Sequence, residues 1–246
     1  MYETILVEVA ERVARLTLNR PKSLNAINEK MMAELREALE TLDAREDVRV
    51  VVLQGAGRAF CAGADLNWSE EMTGRERVEH NRLGQKTFAR MAEMGTPVFA
   101  AVHGYTLGGG LELALGADFI VCSANALFQF PEITLSAEPP YRPKITEEGD
   151  PDQPEFGGSA PGWGGVKRLP ERVGKAIAKE LLFSGIRIDA QRALRIGLVN
   201  DVYDEEGFEE QVAELARRIA AMNPYNLRLV KELVTCGYDL LEMHPS

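Results

Sequence analysis

Three short apolar runs, at residues 48–54, 97–103 and 119–122, constrain the fold of this chain more than any other feature. Each reads as a strand buried on both faces, as in a parallel sheet. Helical patterns stand between them. From Asn28 onward Met31, Met32, Leu35, Leu39 and Leu42 recur at three to four residues, and Asn28 is placed to cap that amphipathic helix. Residues 74–94 are polar with apolar spacing near 3.6, and a short helix opens after Gly108-Gly109-Gly110. Strands alternating with helices argue for βα units and a mainly parallel sheet covered by helices, an α/β fold. Residues 3–9 and 12–18 alternate in polarity around Ala10-Glu11, a hairpin-like opening. After residue 162 the pattern is helical almost throughout, interrupted by Gly174, Gly185 and a strand at 198–203.

Length and charge narrow the function classes. A chain of 246 residues buries a core without disulfide staples. Its 28 Lys and Arg against 38 Asp and Glu leave a net charge of −10, a poor match to a nucleic-acid backbone. Cys61, Cys122 and Cys236 show neither disulfide-framework nor zinc spacing, and the three histidines lie far apart, so no metal site is expected. The N-terminus lacks the pattern of a signal peptide, and no run approaches the length of a membrane span. The expectation is a cytoplasmic protein that binds neither nucleic acid nor membrane.

Familiar motifs fail at specific positions. Gly55-x-Gly57 has Phe60 where a dinucleotide fingerprint needs a third glycine. Gly157-x-Ser159 meets Pro161 where a nucleophile elbow needs glycine. Two Gly/Ala-rich turns remain, residues 60–66 and 108–113, each after a buried strand. Small residues let a ligand approach the main chain, and N–H groups at a helix start are free to donate, although tight packing uses such turns equally well. Two such N–H groups converging on one carbonyl oxygen form an oxyanion hole. Glu112 and Glu132 sit in apolar surroundings: each is either turned to water or desolvated, and desolvation raises a carboxyl toward useful acid–base strength. Cys61 reads as a packing residue and Asp65 as a turn stabiliser, while Trp163 suits core or ligand pocket equally.

Taken together, AFCAGADL, VHGYTLGGGLELALGADFIV and ALFQFPEITL resemble the enoyl-CoA hydratase/isomerase (crotonase) superfamily. LTLNRPKSLNAI before them and GGVKRLPERVGKAIAKELLFSG after them look like the same family in the same order. The resemblance implies a spiral of ββα repeats over residues 1–190 with a C-terminal helical region over 191–246. It implies a homo-oligomer, a trimer or dimer of trimers, acting on an acyl-CoA thioester with no cofactor beyond the CoA of the substrate. By motif position, Ala64 and Gly109 would form the oxyanion hole. Lys22, Ser23, Leu24, Ala62, Gly63, Asp65 and Leu66 would line the CoA path. The family's hydratases carry two catalytic glutamates twenty positions apart, as Glu112 and Glu132 are here, whereas many isomerases keep only the later acid. The implied reaction is hydration of a 2-enoyl-CoA. The alternatives are double-bond isomerisation or hydrolysis on the same fold, and, less favoured, non-enzymatic acyl-CoA or RNA binding.

Two departures from the family pattern stand out. A Pro-Gly-x-Gly-Gly turn usually begins seven positions after the later glutamate. Here Pro161 follows Glu132 by 29, so 22 residues are extra. They fall in residues 136–160, with an insertion expected at about 138–160. This stretch holds five of the twelve prolines and six acids against two bases, and reads as a lid, a pocket wall, a subunit contact or a plain surface excursion. The C-terminal region is also shorter than the family's usual run of further helices.

Overall fold

The computed structural model describes residues 2–69, 74–135 and 160–237. The acidic, proline-rich stretch lies outside them except for Ala160, as do residues 238–246.

The chain opens with an antiparallel pair, β1 (Ile5–Ala10) and β2 (Val13–Leu18), in which Ile5 faces Leu18. Helix α1 (Glu29–Asp43) begins where Asn28 was expected to cap it: the Asn28 side chain accepts the Met31 N–H at 2.9 Å. A cap of that kind is worth about 1 kcal/mol. Three strand pairs follow, each leading into helix. These are β3 (Val50–Gly55) with β4 (Ala59–Cys61), β5 (Val98–Val102) with β6 (Tyr105–Leu107), and β7 (Phe119–Ser123) with β8 (Leu127–Gln129). The helices after them are α2 (Leu66–Ser69) with α3 (Gly74–Glu93), then α4 (Gly109–Ala114), then α5 (Glu132–Leu135). Helices α6 (Gly165–Val173) and α7 (Lys175–Ser184), strand β9 (Ile188–Asp189), helix α8 (Ala190–Arg195), strand β10 (Asp201–Tyr203) and helices α9 (Phe208–Ala220) and α10 (Pro224–Cys236) complete the described chain.

The first strand of each pair enters a six-stranded sheet, ordered β1-β2-β3-β5-β7-β10 and parallel from β2 onward. The second strand enters a smaller sheet, ordered β4-β6-β8-β9. This is the expected ββα spiral. The apolar run of β3 divides its side chains between two cores, as a two-residue period requires. Val50 and Val52 pack toward Phe208, Val212, Ala216 and Ala220, the apolar stripe of α9. Val51 and Leu53 face the larger core with α1 and the inner helices. Both faces are therefore covered, which is why these strands show no alternation in sequence.

The small sheet positions the site. Strands β4, β6 and β8 are parallel neighbours, so their C-terminal ends stand side by side. Out of those ends run residues 62–65, Gly108 with α4, and the Phe130-Pro131-Glu132 corner. Three segments far apart in sequence are thus brought to one edge.

Candidate active site

The first turn, Ala62-Gly63-Ala64-Asp65, is held by the segment that precedes α1. Ala62 N–H donates to Leu24 O at 2.9 Å, Ile27 N–H to Gly63 O at 2.8 Å and Asp65 N–H to Ile27 O at 2.9 Å. Gly63 has φ of 105°, a left-handed conformation that favours glycine. A Cβ there would stand 3.0 Å from Leu107 O and 3.4 Å from Gly109 N, so the two turns pack main chain against main chain. A Cβ on Gly109 would in turn stand 3.4 Å from Ala64 N. Among the described residues, neither the Ala64 N–H nor the Gly109 N–H donates a hydrogen bond. Two unspent amides from separate turns therefore stand together, and a donor pair of this kind stabilises charge developing on a carbonyl oxygen.

Both glutamates are beside them. Glu112 lies in the first turn of α4 and is 2 % exposed. Its Oε1 accepts the N–H groups of Trp163 at 2.8 Å and Gly165 at 2.7 Å. Burial pushes its carboxyl up to about 7; those two amides pull the other way, and the charge of Glu132 adds to the rise. Glu132 opens α5 against the second turn: a Cβ on Gly108 would stand 2.7 Å from its Oε1. Among the described residues its Oε2 is buried without a hydrogen-bond partner, and burial raises this carboxyl to about 7 as well. A buried carboxyl oxygen left unpaired is costly, and such atoms mark chemistry more often than structure. The Pro161-Gly162-Trp163-Gly164-Gly165 turn that holds Glu112 is itself fastened by Arg168, whose Nη1 donates to Trp163 O at 2.9 Å.

The other sequence-predicted residues lie on two segments joined at this edge. Pro21–Ser23 forms a 3-10 turn with Lys22 and Ser23 exposed, and Leu24 closes it with φ of 50°. The Leu24–Ala62 hydrogen bond sets Lys22, Ser23 and Leu24 beside Ala62, Gly63 and Asp65, with Leu66 exposed at the start of α2. Asp65 stabilises its turn, accepting from Asn67 N–H at 3.2 Å and pairing with Arg20 at 2.9 Å. Cys61 is buried, its thiol pushed up to about 12, with Sγ 3.1 Å from Asn25 O. A thiol so far from ionisation is packing, not a nucleophile.

Three contributors went unread in the sequence. Asn25, fully buried, places its Nδ2 within 2.8–3.2 Å of Ala56 O, Ala59 O and Phe60 O, while its Oδ1 accepts the Arg20 N–H at 2.9 Å. It pins the Arg20–Leu24 loop to the strands behind it. Arg20 then clasps the first turn through Asp65. Gly84, on α3, makes room for Trp163: a Cβ there would stand 2.2 Å from its indole. Repeated polar residues around Pro21 were the available signal for the first two; a lone glycine in a polar helix gave none for the third.

The enoyl-CoA hydratase/isomerase family model matches residues 8–143 and 153–244. Among curated relatives, a crotonyl-CoA hydratase of Syntrophomonas wolfei is 37% identical over 237 residues, 96% of this chain and 83% of that protein. A short-chain-enoyl-CoA hydratase of Clostridium acetobutylicum is 36% identical over 95% of this chain and 81% of its own length. Among solved structures, an enoyl-CoA hydratase from Bacillus anthracis superposes with a TM-score of 0.84 at 33% identity, covering 98% of this chain and 86% of that one.

Proposed function

The chain belongs to the enoyl-CoA hydratase/isomerase family, and on that premise we propose that it adds water across the double bond of a 2-enoyl-CoA thioester, giving a 3-hydroxyacyl-CoA, or runs the reverse dehydration. The observation that carries this reading is a buried carboxyl and a half-buried one, both raised to about 7, beside two amides that have no acceptor among the described residues.

In the forward direction, Glu112 in its ionised form takes a proton from water as the oxygen bonds to the β-carbon. The electron pair of the double bond moves toward the thioester, and the developing oxyanion is stabilised by the N–H groups of Ala64 and Gly109. Donors of that kind are worth about 3–4 kcal/mol each in acyl-transfer enzymes. Glu132 in its protonated form delivers a proton to the α-carbon. One water is consumed, and the carboxyls end with their protonation states exchanged. A coupled pair near neutrality suits this, since one proton shared between two acids leaves one ready as base and the other as acid. The sequence of steps needs no cofactor, CoA being part of the substrate. The loops at Lys22–Ser23–Leu24 and at residues 62–66 are assigned to the CoA path because they meet beside the amides.

For assembly we propose a homo-oligomer, a trimer or dimer of trimers, in the cytoplasm. The exposed Tyr225, Val230 and Val234 on α10 support apolar contacts with a further surface. Among the described residues no helix is long and apolar enough to cross a membrane.

Incubation with a panel of 2-enoyl-CoA thioesters, read by mass and absorbance, tests the reaction. Hydration adds one water and bleaches the conjugated thioester. A 3-enoyl-CoA gaining conjugation, with no water added to any substrate, would instead make the protein an isomerase.

A further inference from the structure

The indole of Trp163 lies in a slot between two backbones. On the α3 side, a Cβ on Gly84 would stand 2.2, 2.4 and 2.6 Å from its Cδ1, Cγ and Nε1. On the α4 side, a Cβ on Gly109 would stand 2.4 and 2.6 Å from its Cζ3 and Cε3. No side chain fits at either place, and the chain has glycine at both. Phe88 packs edge-on to the ring at a centroid distance of 5.5 Å, His80 lies at 5.1 Å and Trp68 at 6.4 Å. The result is an aromatic wall, drawn from α2, α3 and the turn before α6, with Trp163 only 2 % exposed.

On the hydratase reading, this wall stands on the acyl side of the amide pair. With a thioester oxygen on the Ala64 and Gly109 amides, sulfur and CoA leave toward Lys22–Ser23–Leu24 and residues 62–66. The α- and β-carbons lie toward Glu112 and Glu132, because the acids act on those carbons. Trp163 is on that side: its own N–H holds Glu112, and its six-membered ring abuts Gly109. An acyl chain continuing past the β-carbon therefore runs into the indole.

We propose that Trp163 is the specificity-determining residue of the acyl site, its indole closing the pocket shortly beyond the β-carbon and restricting the enzyme to short acyl groups. The proposal rests on the hydratase reading. A methylene that a pocket admits or refuses changes kcat/KM by about 10–200-fold, so a ring in the path of the chain dominates selectivity.

The test is kcat/KM for crotonyl-CoA and for 2-decenoyl-CoA, followed by loss of conjugated-thioester absorbance, in the wild type, W163A and W163F. The wild type should favour crotonyl-CoA strongly. W163A should raise the decenoyl-to-crotonyl ratio by about 100-fold and W163F by about tenfold, the opening being smaller. The ratio is taken within one preparation, so a partly folded variant or a loosened Glu112 turn leaves it unmoved. An unchanged ratio in whichever variant turns over crotonyl-CoA overturns the proposal. So does a wild type that hydrates both substrates equally well, a result that needs no variant. A wild type that hydrates no enoyl-CoA at all overturns the hydratase reading itself, an outcome distinct from a flat selectivity ratio.

Discussion

Replacing Glu112 by Gln should weaken catalysis and strengthen the fold, and the second effect should depend on pH. The carboxyl is 2 % exposed and raised from 4.5 to about 7, chiefly by burial. Because the folded state binds this proton more tightly than the unfolded chain does, the sign is fixed. The protonated form carries no penalty below about pH 4.5, and stability is lost as pH rises through about 7. At about 1.4 kcal/mol per pKa unit, the ionised carboxylate costs the native state about 3 kcal/mol at pH 8, but under about 1 kcal/mol at pH 5. Gln fits the same space, and its carbonyl oxygen accepts the Trp163 and Gly165 N–H groups that Oε1 accepts now. It cannot take a proton from water. Urea unfolding at both pH values should therefore show E112Q more stable than the wild type by about 2–3 kcal/mol at pH 8, with most of that gain gone at pH 5. Hydration by the same preparation should fall by about 10²–10⁴-fold in kcat. A gain equal at the two pH values would refute the desolvation argument, and full hydratase activity would refute the assignment of Glu112 as base.

Three further outcomes follow from the same geometry. The wild-type kcat/KM should be bell-shaped around pH 7, falling about tenfold per unit on the acid side as Glu112 is protonated and on the alkaline side as Glu132 ionises, and a flat profile between pH 5.5 and 9 would contradict this. G109A places a methyl 2.4 Å from Trp163 Cζ3 and 3.4 Å from Ala64 N, so steady-state kinetics should show kcat down by about 10²–10³-fold as the amide pair is disturbed. K231M removes a 7 %-exposed ammonium that Met91 O, Thr96 O and Asp118 share, at 2.6, 3.0 and 2.9 Å, and denaturant unfolding should show a loss of about 3–5 kcal/mol.

The large sheet was legible because its strands are long and apolar enough to stand apart from the helices between them. The small sheet was not. Its strands β4, β6 and β8 are three residues each, too brief for any period to emerge. Yet that sheet aligns the three turns. The meeting of Ala64, Gly109, Glu112 and Glu132 was therefore reached in sequence through motif resemblance, with periodicity silent. Residues acting through local chemistry, such as the Asn28 cap, were readable one at a time. Asn25 was not, because its acceptors lie more than thirty positions away and only the folded chain brings them to its amide. Trp163 stood undecided between core and pocket for a like reason: the slot that holds it is built from Gly84 and Gly109, neither adjacent in sequence. The structure places it in the core, against Gly84, Phe88 and Gly109.

The central claim is most directly tested by a crystal structure with butyryl-CoA, a saturated thioester that cannot be hydrated. The account predicts its carbonyl oxygen within hydrogen-bond distance of both the Ala64 and Gly109 N–H groups, with a water held between the carboxyls of Glu112 and Glu132 over the β-carbon. A thioester oxygen bound elsewhere, or an acyl chain entering with the two glutamates on its far side, would contradict it.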